Sequence, residues 1–327
     1  MIQAIELTRK FHGTTVVDRV SFTVGPGQTL GLIGTSGCGK TTTLRMLNRL
    51  IEPTSGRVLL AGRDVADQNP ESLRRGIGYV IQSVGLFPHY TVEDNVAVVP
   101  RLLGHDESHI SQRIGNLLDL VGLPPSAYSK RFPHELSGGQ QQRVGFARAL
   151  AADPPVILLD EPFGGLDQIT RGQIQRDFKT LQRRLGKTVV LVTHDVFEAV
   201  FMCDQLCLMD RGIVQQTGTP ADLLFQPAND FVRDFFRSQQ FLVSLQVVRL
   251  CDLTPHLQFD TPAPGQSPLP NVEWDISLLD LVQQFQNSET ATLVVSDADG
   301  TKLLNTTIPK LLGAFGKLCS DRRKHLE

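Results

Sequence analysis

The sequence predicts an α/β fold built on an open, mostly parallel sheet, and three apolar segments predict it. Segments 155–160 and 188–193 are continuous aliphatic runs rich in β-branched residues, like strands that a parallel sheet buries on both faces. Segment 29–33 is a third such run, and leucines recur after it at helical spacing over 40–50. Strands that alternate with helices in this way are typical of open α/β sheets.

The first loop of this pattern follows segment 29–33. It is Gly34-Thr35-Ser36-Gly37-Cys38-Gly39-Lys40-Thr41, followed by Thr42, and it matches the phosphate-loop pattern in the required strand–loop–helix context. Glycines let backbone N–H groups curl round phosphate oxygens, and the helix N-terminus adds a favourable dipole. We expect Lys40 to supply a cation and Thr41 to ligate Mg²⁺, and we expect no chemical role for Cys38. A glycine-rich turn before an ordinary helix is the alternative.

Segment 155–160 ends in two adjacent carboxylates, Asp160 and Glu161. At the C-terminal end of a strand, Asp160 can reach the coordination shell of Mg²⁺, while Glu161 can orient or polarise an attacking water. A helix cap ahead of Pro162 is the alternative. Together with Lys40, the two carboxylates predict a nucleotide hydrolase.

A helical subdomain is predicted from about residue 90 to 152, because this stretch lacks strand-like runs and shows several helical patterns. Near its end stands Leu136-Ser137-Gly138-Gly139-Gln140, directly before a helix. Ser137 and the amides of Gly138 and Gly139 form a second anion site at that helix start, unless the serine is a simple cap. With this pentapeptide, the phosphate loop and the two carboxylates, the chain resembles the ATP-binding cassette (ABC) ATPases.

The resemblance covers roughly residues 1–235 and includes the family's signature pentapeptide at 136–140. It implies a phosphate-loop NTPase with a RecA-like, mostly parallel sheet, and ATP and Mg²⁺ as cofactors. It also implies a head-to-tail homodimer that sandwiches two nucleotides. In such a dimer the signature of each copy acts in trans, on the nucleotide held by its partner.

Further residues match the family's pattern one by one. Phe11 matches the aromatic that stacks on adenine, with ordinary packing as the alternative, and Gln82 matches the glutamine that reports to the membrane partner. His194, at the C-terminal edge of a parallel strand, matches the histidine that contacts the γ-phosphate. Asp167 matches the acidic residue that links the two active sites, although two glycines precede Leu166 where Ser-Ala is commoner. The resemblance assigns catalysis to Glu161, His194 and Gln82, and metal binding to Thr41, Gln82 and Asp160.

Composition limits the partners of the protein. The 327 residues carry a formal net charge of −2, so no global basic field would gather nucleic acid. Apolar runs are far shorter than the ~18–20 residues that span a bilayer, and the first residues predict no secretion signal. These features predict a cytoplasmic address. Together with them, the resemblance to ABC transporter subunits implies a peripheral protein at the cytoplasmic face of the cell membrane. It also implies separate transmembrane permease subunits as partners and, indirectly, a periplasmic or lipid-anchored solute-binding protein.

The class of ABC protein and its solute rest on resemblance. One compact cassette without sustained heptads favours a transporter subunit over the soluble, non-transport ABC ATPases of translation or DNA maintenance. Segments 48–56 and 78–89 resemble importers of osmoprotectants such as glycine betaine, choline, carnitine and proline. Importers of polar amino acids or of other small polar solutes are the alternatives, because the cassette itself does not touch the solute.

A second module is predicted over 236–327, with a proline-rich loop at 255–270 that neither helix nor central strand tolerates. Segments 276–285, 291–297 and 308–312 predict helix, strand and helix, with a turn and strand between the last two. This α+β lobe resembles one half of a cystathionine-β-synthase-type (CBS) regulatory module. A structural or dimerising lobe and an added tail are the alternatives. The five cysteines are scattered and odd in number, which predicts packing rather than disulfides.

Overall fold

The computed structural model describes residues 1–82, 85–257, 271–285, 291–297 and 300–324. In it the chain forms two compact units, Met1–Gly218 and Thr219–Glu327. This division lies earlier than the domain boundary at 235 that the sequence suggested. A local signal marks it, since Thr219 and Asp222 form a capping box at the start of the next helix. The predicted proline-rich loop lies outside the described residues from 258 onward.

Ten strands of the first unit form two sheets. In chain order they are β1 (Ile2–Phe11), β2 (Thr14–Val24), β3 (Thr29–Gly34), β4 (Ser55–Leu60), β5 (Arg63–Asp64), β6 (Ile77–Val80), β7 (Val156–Asp160), β8 (Thr188–Val192), β9 (Gln205–Asp210) and β10 (Ile213–Gly218). The central sheet has the order β10-β9-β3-β8-β7-β6, and the smaller sheet has the order β2-β1-β4-β5. All pairs of the central sheet are parallel except β9 with β10, which confirms the predicted mostly parallel sheet.

The apolar runs of the sequence are buried as predicted. Every residue of β3, β7 and β8 is buried. One core cluster joins Leu32 and Leu158 of this sheet to Leu44 after the phosphate loop and to Leu7 of the smaller sheet. The phosphate loop is therefore anchored on both sides by well-packed elements, because β3 enters it and a helix packed in the core leaves it.

Helices flank and interrupt the sheet of the first unit. They are α1 (Lys40–Leu47), α2 (Pro70–Arg75), α3 (Val92–Leu102), α4 (Glu107–Leu120), α5 (Pro125–Tyr128), α6 (Gly138–Leu150), α7 (Gln168–Leu185) and α8 (Val196–Met202). Helices α3 to α6 lie between β6 and β7, and they form the helical subdomain that the sequence predicted. Among the described residues, no helix combines the length and hydropathy needed to cross a bilayer.

The second unit contains helices and a small sheet. Its helices are α9 (Pro220–Phe225), α10 (Asp230–Arg237), α11 (Gln240–Val247), α12 (Leu278–Phe285) and α13 (Ile308–Lys324), and its strands are β11 (Asn271–Glu273), β12 (Ala291–Asp297) and β13 (Gly300–Thr306). Strand β12 pairs in parallel with β11 and antiparallel with β13. The order α12, β12, β13, α13 agrees with the predicted helix, strand, strand and helix, whereas the likeness to half a CBS module stays a prediction.

Because β6 and α6 approach closely at Gly78, alanine should destabilise the fold at that position, whereas it should stabilise the fold at Gly115. A Cβ at Gly78 would lie 2.5 Å from the carbonyl oxygen of Ala149, so Gly78→Ala should force α6 away and destabilise the fold by about 1–3 kcal/mol. Gly115 of α4 has nothing within 4 Å of its Cβ position, so Gly115→Ala should stabilise the fold by roughly 0.5–1 kcal/mol. Urea unfolding of both variants measures the two effects. Equal effects of the two substitutions would contradict the packing described for β6.

Candidate active site

One cavity collects the predicted phosphate loop and the ends of three parallel strands. It has a volume of about 690 Å³. Gln82, Glu161 and His194 reach it from the residues after β6, β7 and β8. Its remaining lining residues are Val16, Ser36, Gly37, Cys38, Gly39, Lys40, Thr41 and Thr42. The structure thus brings together residues that are more than a hundred positions apart in the sequence.

The phosphate loop depends on glycine where the backbone turns back on the sheet. Gly34 has φ +141° and Gly39 has φ +99°, in the region that side chains disfavour. A Cβ at Gly34 would lie only 1.9 Å from the carbonyl oxygen of Met209, so no other residue fits at this position. The Thr35 hydroxyl donates a 2.7 Å hydrogen bond to Asp210, which ties the loop to the end of β9.

Lys40 places a buried positive charge beneath this loop. Lys40 is only 7 % exposed, and its Nζ donates to the carbonyl oxygens of Gly34 at 3.0 Å and Thr35 at 2.8 Å. Within the described residues no carboxylate forms an ion pair with Lys40. A buried cation is costly unless an anion compensates it, so the loop is electrostatically suited to a phosphate.

Asp160 and Thr41 form an oxygen-rich pair beside the loop. The Thr41 hydroxyl donates to Asp160 Oδ1 at 2.9 Å, the Tyr79 hydroxyl donates to Oδ2 at 3.4 Å, and Arg45 Nη2 lies 3.8 Å from Oδ2. Burial raises the pKa of Asp160, and the hydrogen bond from Thr41 opposes this shift. Tyr79 and Arg45 had no signal in the sequence, because the sheet register and α1 bring them to Asp160.

The donors of this pair fit Mg²⁺. A hydroxyl and a carboxylate are the hard oxygen ligands that this ion takes, usually one or two from the protein with the remainder from phosphates and water. No group of three or more His, Cys, Asp or Glu side chains suited to a metal occurs in the described part of the chain. The site therefore suits an ion that arrives with a nucleotide better than a permanently held metal.

Glu161 contacts the two other cavity residues that follow strand ends, Gln82 and His194. Gln82 Nε2 donates to Glu161 Oε2 at 3.0 Å, and His194 Nδ1 lies 3.3 Å from the same oxygen. The backbone of Glu161 has φ +45°, a conformation that costs a non-glycine residue roughly 1–3 kcal/mol. A hydrogen bond from its amide to the carbonyl of Val192 at 2.9 Å helps to hold this conformation. Gln82 and His194, which were predicted from separate segments, thus both contact one carboxylate oxygen of Glu161.

The signature segment, residues 136–140, forms the predicted helix start outside the phosphate-loop cavity. Ser137 caps α6 by accepting from the Gln140 amide at 3.3 Å, and Gln140 Oε1 accepts from the Ser137 amide at 2.9 Å. Ser137 and Gly138 are exposed, whereas Leu136 and Gly139 are buried. None of residues 136–140 lines the cavity. A single copy of the chain therefore keeps its two predicted anion sites apart.

Phe11 and Asp167 also lie outside the cavity lining, as do Gly34, Thr35 and Asp160. Phe11 ends β1, and the guanidinium of Arg9 lies 4.4 Å from its ring centroid. Asp167 caps α7, where its carboxylate accepts from the Thr170 amide at 3.0 Å. That backbone hydrogen bond lowers the pKa of Asp167. The structure thus makes Asp167 the fixed start of the longest helix of the first unit, and gives Phe11 a cation partner on one face.

Comparison with known proteins identifies the family. The family model described as ABC transporter matches residues 17–164. The glycine betaine/carnitine/choline transport ATP-binding protein OpuCA of Bacillus subtilis (strain 168) is 44 % identical over 285 residues, which cover 87 % of this chain and 72 % of that protein. The chain belongs to the ABC transporter family. As an ABC ATPase it binds and hydrolyses ATP.

Other relatives of this ABC ATPase agree in sequence and in fold. The glycine betaine uptake system ATP-binding protein YehX of Escherichia coli (strain K12) is 48 % identical over 249 residues, which cover 76 % of this chain and 80 % of that protein. A dimeric structure of the ATP-binding cassette MJ0796 in a post-hydrolysis state, bound to ADP and Pi, matches with a TM-score of 0.59 and 31 % identity. That match covers 67 % of this chain and 98 % of the other.

Behind the His194 loop the structure reveals a buried carboxyl group that the sequence did not single out. Glu198 of α8 is 5 % exposed, and it accepts a 2.9 Å hydrogen bond from Gln175 Nε2 of α7. Burial raises the pKa of Glu198 to about 7, and the nearby charge of Asp195 adds to the shift, while Thr193, Gln175 and Arg171 oppose it. The segment Asp195 to Glu198 reads simply as a helix start, so only tertiary burial distinguishes Glu198.

This raised pKa predicts how stability depends on pH. The ordinary pKa of the group is 4.5, so between pH 4.5 and about 7 the folded protein keeps a proton that the unfolded chain has lost. Stability must therefore fall as the pH rises through this window, by up to roughly 3 kcal/mol. Glu198→Gln lacks this penalty, so its thermal midpoint should exceed that of the wild type more at pH 8.5 than at pH 5. A pH-independent difference between the two proteins would contradict the assignment.

Proposed function

We propose that the protein is the ATP-hydrolysing subunit of a binding-protein-dependent importer for osmoprotectants such as glycine betaine, choline, carnitine and proline. Lys40, Thr41 and Glu161 line one cavity, and Thr41 is hydrogen-bonded to Asp160; this arrangement carries the ATPase part of the proposal. The names of OpuCA and YehX support the solute class, and the matches to this chain cover 72 % and 80 % of those two proteins.

Nucleotide binding uses the loop and the strand ends in distinct roles. The amides of residues 34–42 and the Lys40 ammonium bind the phosphates, and Phe11 stacks on the adenine. Thr41, Asp160 and Gln82 hold Mg²⁺. The ion would neutralise charge on the phosphates, as it does in phosphoryl transfer generally. The burial of Lys40 and the hydrogen bond between Thr41 and Asp160 support these assignments.

Hydrolysis is assigned to Glu161, with Gln82 and His194 as its neighbours. A water oxygen attacks the γ-phosphorus, the bond from that phosphorus to the bridging oxygen of ADP breaks, and the Glu161 carboxylate takes the proton of the water. His194 contacts the γ-phosphate, and Gln82 holds Glu161 until a nucleotide is bound. The two short contacts to Glu161 Oε2 support this, because they orient the carboxylate before any water arrives.

The head-to-tail homodimer follows from the separation of the two anion sites. Residues 136–140 are absent from the cavity lining, so the signature of a second copy completes each site. Asp167, at the start of α7, links the two sites across the dimer. Exposure of Ser137 and Gly138 supports this arrangement, because both residues are accessible to a second copy and neither lines the chain's own cavity.

Coupling to the permease is assigned to the chain that follows Gln82. Phe87, His89 and Tyr90 form an exposed aromatic group with ring centroids 4.9–6.4 Å apart. An aromatic surface of this kind is typical of protein interfaces. We place the permease subunits on this surface at the cytoplasmic face of the membrane, and the solute-binding protein on the opposite side of the permease.

The boundary of the cassette and the role of the second unit belong to the same proposal. We assign 1–235 to the ATPase domain, with its helical subdomain at about 90–152, and 236–327 to an appended lobe of half-CBS type. The order α12, β12, β13, α13 supports the likeness. No ligand follows from it.

The variant Glu161→Gln tests the catalytic assignment. It keeps the size of the side chain but cannot accept a proton, so kcat should fall by about 10²–10⁴-fold while ATP still binds. Closed dimers should accumulate with ATP, which size-exclusion chromatography measures. Glu71→Gln, an exposed change in α2, is the control and should leave kcat unchanged. Wild-type turnover in Glu161→Gln would overturn the role of Glu161.

Reconstitution tests the import function. The protein is combined in liposomes with the permease and solute-binding protein of the proposed importer, and uptake of labelled glycine betaine, choline and a polar amino acid is measured. We expect ATP-dependent uptake of the quaternary amines, and no uptake when Glu161→Gln replaces the wild type. Uptake of the amino acid alone would leave the ATPase intact and overturn the solute class.

A further inference from the structure

Helix α7 contacts three segments of the predicted site: the signature helix, the Asp167 loop and the His194 loop. It begins at the cap Asp167, and a Cβ at Gly139 of the signature helix would lie 2.5 Å from Thr170 Cγ2 on its first turn. On the same turn, Arg171 donates to the carbonyl of Leu166 at 3.1 Å and lies 3.7 Å from Asp195 Oδ2. The first turns of α7 thus contact the signature helix, the Asp167 loop and the His194 loop.

Both sequence neighbours of His194 are held by hydrogen bonds that lead to Glu198. The Thr193 hydroxyl accepts from the Asp195 amide at 3.0 Å. Asp195 Oδ1 in turn accepts from the Glu198 amide at 3.1 Å. These bonds tie both residues that flank His194 to the start of α8, while the side chain of His194 is 70 % exposed and lies beside Glu161.

Gln175 of α7 is linked to Glu198, and so to the His194 loop, through buried atoms. Gln175 is 8 % exposed and Glu198 is 5 % exposed, and the 2.9 Å hydrogen bond between them is a direct polar link from α7 to the His194 loop. An apolar pair at these positions would pack without the cost of burying an amide and a carboxyl group. Stability alone therefore does not explain why two polar side chains meet here.

We propose that Gln175 and Glu198 are positioning residues for hydrolysis, which fix His194 relative to α7 so that displacement of the Asp167 end of the helix moves His194. This inference rests on the proposed role of His194 at the γ-phosphate. The pair touches neither nucleotide nor metal, so it acts through His194. A loop displaced by about 1 Å can cost as much as 10²-fold in rate, which makes a buried positioning bond consequential.

Leucine substitutions separate positioning from stability. Gln175→Leu or Glu198→Leu alone leaves a buried polar group without its partner, so each should lower the thermal midpoint by about 3–8 °C and kcat by roughly 10–100-fold. The double variant Gln175→Leu/Glu198→Leu replaces both groups by apolar ones and should recover the thermal midpoint to within about 3 °C. Its kcat should stay low, with KM for ATP within about twofold of the wild type.

Two further variants complete the experiment. Glu198→Gln still offers a carbonyl oxygen to Gln175, so it should retain kcat to within about threefold, even if a leucine variant does not fold. Gln182→Leu is the matched control, because Gln182 is equally buried on α7 but donates to the carbonyls of Gly27 and Lys187, away from His194. It should lower the thermal midpoint and leave kcat unchanged.

The outcomes distinguish this inference from the proposed function. Recovery of kcat together with stability in the double variant would overturn the positioning role, as would a tenfold loss of kcat in Glu198→Gln or in Gln182→Leu. Hydrolysis by the wild type would remain in each of these cases, so the ATPase assignment would stand. Absence of hydrolysis by the wild type itself would overturn the proposed function and this inference with it.

Discussion

Within the central sheet, Asp160 of β7 lies opposite Val192 of β8, and Leu32 of β3 lies opposite the same residue. This parallel register is the constraint on which the site depends, because it sets the C-terminal ends of neighbouring strands at one edge. The phosphate loop leaves β3 there, and Glu161 and His194 follow β7 and β8 within two residues. A shift of one residue between β7 and β8 would turn Asp160 to the other face of the sheet and separate it from Thr41.

Charge and strain are then concentrated where the strands end. A buried ammonium at Lys40 and a carboxylate on a left-handed backbone at Glu161 line one cavity. Asp160, a buried carboxyl group with a raised pKa, is hydrogen-bonded to Thr41 of the same lining. Each feature costs folding free energy, and the fully buried strands beneath them supply the packing that offsets it. A nucleotide with its metal ion would compensate the charges that the protein leaves uncompensated.

The sequence predicted the parts of this arrangement that are local. Lys40 and Thr41 follow from a loop pattern, and Asp160 and Glu161 follow from the end of an apolar run. Tyr79 and Arg45 could not be predicted as partners of Asp160, because strand pairing and the packing of α1 bring them there. The first compact unit ends at Gly218, where the capping box at Thr219 is visible in the sequence, and the cassette boundary at 235 stays a prediction. Glu198 was missed because its chemistry comes from burial, which no local pattern encodes, and the roles assigned to Phe11 and Asp167 stay predictions.

The central claim is that each nucleotide site combines the phosphate loop of one copy with the signature of another, and mixed dimers test it most directly. In a Glu161→Gln background, chains that carry Lys40→Ala are paired with chains that carry Ser137→Arg, and the ATP occluded per dimer is counted. The mixed dimer retains one intact site and one doubly damaged site, so the account predicts about one ATP per mixed dimer and none in either parent homodimer. No occluded ATP in the mixed dimer, or two in the Ser137→Arg homodimer, would contradict it.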